Sequence, residues 1–279
     1  MSGTLYLVAT PIGNLSDLSP RAADTLEQAD FIAAEDTRVT MKLLSHLELK
    51  KPLVSYHEHN KASAGPAVLA RLLSGENCAL VTDAGTPAIS DPGEDLVRLC
   101  AENDVPVQSI PGCCALISAL AVSGLPTGRF VFEGFLPVNK GQRRARLQAL
   151  LAEERTILFY EAPHRLRGTL EDLLEAFGDR PMALCRELTK LHEETRRTTL
   201  SQAVAYYQDS EPRGEYVLVV SGTAPAAEGA VSLEEGVALV LERRAKGERM
   251  KDAVRQVAAD TGLARNELYN AALQASREL

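Results

Sequence analysis

The 279-residue sequence predicts an α/β fold of two α/β domains followed by a small helical tail, and three observations carry that prediction. Through the first half, short β-rich apolar runs alternate with helical patterns of about ten residues, which indicates a largely parallel sheet. After a joint at Gly124-Leu125-Pro126-Thr127-Gly128, where two Gly and a Pro break any element, the alternation resumes. A small-residue linker, Thr223–Gly229, then precedes three short amphipathic patterns. The predicted organisation is residues 1–123, residues 124–223 and a helix-turn-helix-like tail at 231–279.

Taken in order, Leu5–Ala9 reads as a buried strand followed by the turn Thr10-Pro11-Ile12-Gly13-Asn14. Ser19-Pro20 starts a helix, with Ser at the N-cap and Pro at N1, where its missing N–H is not needed. Strands are predicted at Phe31–Ala34, Leu53–Tyr56, Ala79–Val81 and Val105–Ile110, with helical stretches at Met41–Leu47, Ala64–Leu73 and Ala115–Val122. Past the joint come strand Phe130–Phe135, helix Arg143–Leu151, strand Thr156–Tyr160, helix Leu166–Ala176, and strands Met182–Arg186 and Tyr216–Val220. Leu233–Arg244, Met250–Ala259 and Arg265–Gln274 are the tail helices, with Thr261-Gly262 turning between the last two.

Composition narrows the function classes. Hydrophobic residues at 45% and charged residues at 24% exclude general disorder. No apolar run approaches ~18 residues, so no membrane span is expected, and the N-terminus lacks the basic region and apolar length of a leader. Five cysteines without CxxC spacing predict reduced thiols and a cytoplasmic protein, not disulfides or zinc. The net charge of -8 argues at first against nucleic acid. Its distribution reverses that: residues 1–128 hold 8 Lys+Arg against 15 Asp+Glu, whereas residues 129–279 hold 22 against 23. Residues 139–168 carry seven basic side chains against three acidic, and residues 243–255 six against two. Either run serves as a solvated helix face or as a phosphate-binding surface, and binding of the latter kind depends on salt.

The densest group of unusual residues is Asp83–Gly93, directly after a predicted central strand. Loops at the C-terminal ends of parallel strands form the ligand crevice of open α/β sheets. Small residues and prolines there allow close approach of backbone to a ligand. Asp83 either accepts from a ligand's ammonium or hydroxyl or satisfies its own turn. The loops at Thr10–Asn14 and Ile110–Cys114 occupy equivalent positions, and none is GxGxxG, which disfavours a dinucleotide. Cys113-Cys114 are read as small apolar residues. His57 and His59 follow a predicted strand at a spacing of two, which on a strand would put them on one face, and with Glu58 or Asp36 they outline an incomplete metal set, as no cysteine or third histidine lies nearby. No metal is expected. Tyr160–Arg165 and Arg186–Lys190 again end strands; Arg165 and Arg167 either hold phosphate or pair with local acids.

Seven segments occur in a telling order: Leu7–Asn14, Ala34–Arg38, Asp83–Gly93, Ile110–Gly112, Glu133–Pro137, Tyr160–Arg165 and Arg186–Lys190. Together they resemble the ribosomal RNA small subunit methyltransferase I family, among the tetrapyrrole-methylase-like (class III) S-adenosylmethionine-dependent methyltransferases. The resemblance spans essentially the whole chain. It implies a homodimer, with the methyl donor in the cleft between two α/β domains. It implies 2'-O-methylation of a cytidine in the decoding region of 16S ribosomal RNA, as naked RNA or within the small ribosomal subunit, and no DNA partner. Donor contacts carried over from the family fall on Pro11, Asp83, Gly85, Thr86, Pro87, Cys113, Cys114, Tyr160, Leu184 and Gly214. Homologues usually have Pro where Cys113 stands, which loosens the start of the following helix here.

Methyl transfer from a sulfonium is an in-line displacement, so alignment is the enzyme's main task. A ribose hydroxyl is a poor nucleophile and gains ~10²–10⁴-fold from a base. Glu133, Glu161, His57 and Lys140 are the candidates, with a positioning-only mechanism left open. Lys140, Arg143, Arg144, Arg165 and Arg167 are the candidate RNA contacts. Two rival readings are methylation of a tetrapyrrole such as a corrin precursor, and a noncatalytic RNA-binding assembly factor.

Overall fold

A computed structural model describes residues 1–223 and 232–276. Residues up to Thr223 form one compact unit and the helical segment after the linker forms another. The linker beyond Thr223 and the outermost residues of the expected tail lie outside the described residues.

The first sheet is built from β1 (Leu5–Val8), β2 (Phe31–Ala34), β3 (Leu53–Ser55), β4 (Cys78–Val81) and β5 (Val107–Ile110). All are parallel, in the order β3-β2-β4-β1-β5. Helices α1 (Pro20–Gln28), α2 (Thr37–His46), α3 (Lys61–Leu73) and α4 (Glu94–Glu102) supply the crossovers. Strand side chains alternate between two cores, Leu5, Phe31 and Leu80 on one face and Val8, Ile32 and Val81 on the other. That is why β2 and β4, buried at every position, read as continuous apolar runs. The predicted start of α1 is present, with Ser19 capping the Ala22 N–H at 3.1 Å and Pro20 at the first helical position.

Helix α5 (Ala115–Ser123) precedes the joint in sequence but packs against the sheet built from residues beyond it. Its Leu116, Ala119 and Leu120 sit in one core with Leu158, Cys185 and Val219 of that second sheet. Gly124 then ends the helix in the left-handed region (φ 79°), so the predicted joint is a helix cap.

The second sheet comprises β6 (Phe130–Phe135), β7 (Thr156–Glu161), β8 (Pro181–Arg186), β9 (Glu194–Thr199) and β10 (Tyr216–Val220). Its order is β6-β7-β10-β8-β9; only β6 and β7 pair in parallel. The resumed alternation thus does not give a parallel sheet here. The β8–β9 connection is too short for a crossover helix, and β10 inserts between β7 and β8 in the reverse direction. Helices α6 (Lys140–Ala149), α7 (Pro163–Phe177) and α8 (Leu200–Asp209) accompany this sheet, and Leu166, Leu170 and Leu200 pack with Ile157 and Leu218.

In the second unit, α9 (Leu233–Ala245), α10 (Met250–Thr261) and α11 (Arg265–Ala275) close on Val240, Val254, Val257 and Leu268. Ser232 and Glu235 form a reciprocal capping box at its start. No helix among the described residues is long and apolar enough to cross a membrane.

Candidate active site

All five strands of the first sheet end at one edge, so the loops after β1, β2, β4 and β5 meet there. Thr10 and Gly85 exchange backbone hydrogen bonds of 2.9 and 3.0 Å, and the Thr10 hydroxyl donates to the Thr82 carbonyl, clipping the loops after β1 and β4 together. The Thr86 hydroxyl donates to the Cys113 carbonyl at 2.9 Å, tying in the loop after β5. Facing this edge are the end of β7, the loop after β8 and the start of β10. Between them lies a cavity of about 500 Å³, within the usual range for small-molecule sites.

The cavity has an apolar floor of Ile12, Leu188, Val217 and Cys185, a small-residue wall at Ala84–Thr86, and acidic groups from both sheets. Tyr160 bridges its two sides: its hydroxyl accepts from the Leu116 N–H at the start of α5, at 3.2 Å. Burial pushes the phenol well above its usual range, so it stays neutral. On the second-sheet side, Lys190 donates to Glu187 and Glu215, each at 2.9 Å. Its stem crosses Gly13 so closely that a Cβ there would lie 2.4 Å from Lys190 Cγ, and Gly13 also has φ 152°.

The Asp83–Gly93 loop is strained. Ala88 and Ser90 both occupy the left-handed region, at φ 67° and 63°, each at a cost of ~1 kcal/mol. Gly93, at φ 148°, sits so tightly over Leu80 and Ala88 that a Cβ would approach both within about 3 Å. The loop carries Asp83 and Asp91 into the cavity, where Glu35 joins them. Burial raises the affinity of all three for protons, and Glu35 and Asp83 add their charge to push Asp91 to about 7.

Of the expected donor contacts, Asp83, Gly85, Thr86, Cys114 and Tyr160 line the cavity. Cys113 borders it through the carbonyl that Thr86 holds, and Gly214 lies beneath Glu187. Pro11 and Pro87 lie in these loops but outside the cavity lining, and Leu184 points into the opposite core, because alternate residues of β8 face opposite ways.

Of the candidate bases, Glu161 alone lines the cavity, but it is 2% exposed. Its oxygens accept from the Ala162 N–H and the Thr169 hydroxyl, with Arg165 at 3.4 Å. Glu133 is held by Arg146 in a two-pronged pair of 2.5 and 2.9 Å. His57 follows β3 and Lys140 opens α6, both outside the cavity lining. Among the candidate RNA contacts, Arg143 is committed to Asp172 at 2.5 Å and Arg165 to the Leu136 carbonyl. Arg167 reaches the Ser210 carbonyl, while Arg144 is 84% exposed. Among the described residues no cluster of three His, Cys, Asp or Glu side chains is placed to hold a metal, and all five cysteines are free.

Sequence pattern does not single out Asp91 or the Glu187–Lys190–Glu215 group. Asp91 resembles an ordinary Asp-Pro-Gly turn, and Glu215 only precedes a strand. Neither spacing nor composition signals a contact made between sheets.

Residues 4–204 match the family of Tetrapyrrole (Corrin/Porphyrin) Methylases, and residues 232–276 match the RsmI C-terminal HTH domain. A uroporphyrin-III C-methyltransferase from Thermus thermophilus, solved complexed with S-adenosyl homocysteine, superposes with a TM-score of 0.56 at 19% identity. That match covers 78% of this chain and 97% of the other. The two sheets and the cleft between them thus define a methyltransferase fold of the tetrapyrrole methylase class. Ribosomal RNA small subunit methyltransferase I of Synechocystis sp. is 50% identical over 273 residues, 98% of either chain. Its counterpart from Halalkalibacterium halodurans is 48% identical over 271 residues, covering 96% of this chain and 94% of its own. The chain belongs to the ribosomal RNA small subunit methyltransferase I family.

Proposed function

We propose that the protein transfers a methyl group from S-adenosyl-L-methionine to the ribose 2'-oxygen of a cytidine in the decoding region of 16S ribosomal RNA. The observation that carries this reading is the cavity at the strand ends of a methyltransferase fold, in a chain whose relatives bear that ribosomal RNA name. The cavity residues suit the donor chemically. The apolar floor at Leu188 and Val217 suits an adenine ring, and the peptide groups around Ala84–Thr86 suit ribose and adenine edges. Asp83 and the other cavity carboxylates suit a cationic sulfonium and ammonium. When bound, the donor supplies an electrophilic methyl on a positively charged sulfur.

This chain's residues then hold and align. Gly85, Thr86 and Cys114 contact the donor from the first sheet, and Tyr160 fixes the second sheet against α5 so that the two walls keep their spacing. RNA meets the basic α6 region, where Arg144 and Lys140 remain exposed for phosphate. The reading makes the protein a cytoplasmic homodimer. Its test is incubation with methyl-labelled donor and either naked 16S RNA or assembled small subunits. Label on a cytidine ribose is expected; label on neither substrate rejects the reading.

A further inference from the structure

We propose that Phe135 is the platform on which the base of the target nucleotide stacks while its ribose reaches the cavity; this rests on the function proposed above. Phe135 ends β6, lines the cavity and is 53% exposed. Its orientation comes from a bulge. Phe132 stands opposite Leu158 of β7 but Phe135 stands opposite Tyr160, so β6 carries one extra residue between them. In an unbroken register Gly134 would face Tyr160, and Phe135 would turn to the other face of the sheet, toward the core of Ile157 and Phe159. The bulge instead brings Phe135 out at the mouth of the cavity. Gly134 makes this possible, with φ 62° in the left-handed region and the Ser90 hydroxyl 3.0 Å from where its Cβ would be.

The ring is held before any ligand arrives. It lies 5.6 Å from the Tyr160 ring at an angle of 59°, and Tyr160 packs edge-on against Phe132 at 4.9 Å and accepts from the Leu116 N–H. A platform fixed in this way loses little freedom when a ligand settles on it. Across the mouth, the Ser90–Gly134 approach brings the loop of the first sheet against β6, and Ile89 of that loop also lines the cavity and is exposed. Two large apolar side chains thus border the entrance, one from each sheet. For a 2'-oxygen to meet a methyl group inside the cavity, the nucleotide must leave its neighbours, and its base then needs a new stacking partner at the rim. Sequence-tolerant capture of splayed-out bases on aromatic side chains is the usual way proteins hold single-stranded RNA. Phosphate partners follow on the same segment: the chain runs from Phe135 into α6, where Lys140 and Arg144 are exposed. An open aromatic face followed by free cations fits a nucleotide, whose base and phosphate each find a partner.

The test measures single-turnover methyl transfer to small ribosomal subunits at rising concentrations of the full-length protein. It compares the wild type with Phe135→Ala, Phe135→Leu, Phe135→Tyr and Phe135→Trp. Phe135→Ala should lower the maximal rate divided by the half-saturating concentration by ~5–150-fold, the worth of one base–aromatic stack. Leucine returns apolar bulk without a π-face, so Phe135→Leu should stay within ~3-fold of the alanine variant. Phe135→Tyr and Phe135→Trp keep the face and should stay within ~3-fold of the wild type. Two readouts need no turnover. S-adenosylhomocysteine affinity should change less than ~3-fold in the alanine variant, and its oligomeric state in sedimentation should match that of the wild type. Alanine or leucine variants within ~3-fold of the wild type overturn the inference, as does a tyrosine variant as slow as alanine. A ~10-fold or greater loss of S-adenosylhomocysteine binding makes Phe135 a donor contact, and an altered oligomeric state makes it a contact between copies of the chain; either result overturns the inference. If the wild type itself labels no RNA, the functional reading fails and the inference with it. If the wild type labels RNA and the alanine variant keeps pace, the inference alone falls.

Discussion

At the scale of single residues, two side chains govern how the cleft is held. The Tyr160 hydroxyl accepts from the Leu116 N–H, one of the amide groups that a helix start leaves unsatisfied. Tyr160→Phe should therefore cost about 1–2 kcal/mol, measured by denaturant titration, because a half-buried N–H loses its acceptor. Donor binding should weaken with it, since the start of α5 is a cavity wall. Asp91 makes the opposite prediction. Its carboxyl titrates at about 7 when folded, against ~3.9 for an unfolded chain. The folded state thus binds the extra proton, and stability falls as pH rises between those values. Asn mimics the protonated acid at every pH. Asp91→Asn should match the wild-type melting temperature near about pH 4 and exceed it near about pH 8. A variant less stable than wild type at the higher pH contradicts that account.

At the scale of elements, α6 shows how one basic helix divides its labour. Arg143 is largely buried and paired with Asp172 of α7, whereas Arg144, one residue on, points to solvent. Arg143→Ala should lower stability, and Arg144→Ala should leave it within about 0.5 kcal/mol. The Arg144 variant should also reduce the slope of RNA affinity against log salt by about 1, read from binding isotherms at several salt concentrations. Helix α5 is structural in another sense. Leu120→Ala opens a void between it and the second sheet and should cost about 2–5 kcal/mol in equilibrium unfolding. Strands with apolar runs, and the Ser19-Pro20 helix start, are legible in the sequence because burial and capping leave local marks. Strand β9, Glu-Thr-Arg-Arg-Thr-Thr, is not, since it is an edge strand with no fully buried residue. The site is legible loop by loop, each at a strand end. The pairing of Arg146 with Glu133, and of Lys190 with Glu187 and Glu215, depends on tertiary approach and leaves no such mark.

At the scale of the whole molecule, the charge of -8 is a poor guide to partners. The acidic excess lies in residues 1–128, the segment that holds Glu35, Asp83 and Asp91, while the basic runs lie in α6–α7 and in α9–α10. A cationic donor and an anionic RNA call for opposite local charge, and a single net value averages the two away. Because residues up to Thr223 form a compact unit with the complete cavity, a chain ending there should fold and bind S-adenosylhomocysteine. Its RNA affinity should fall if the basic run of α9 and α10 contacts phosphate, and equal affinity would remove the tail from the interface. The central claim, that this cleft serves ribose methylation of ribosomal RNA, is tested most directly by mapping the product. Small subunits incubated with methyl-labelled donor and purified protein would be digested to nucleosides and analysed by mass spectrometry. One new 2'-O-methylcytidine within the decoding region is expected; a methyl group on a base, or none on the RNA, would overturn ribose methylation.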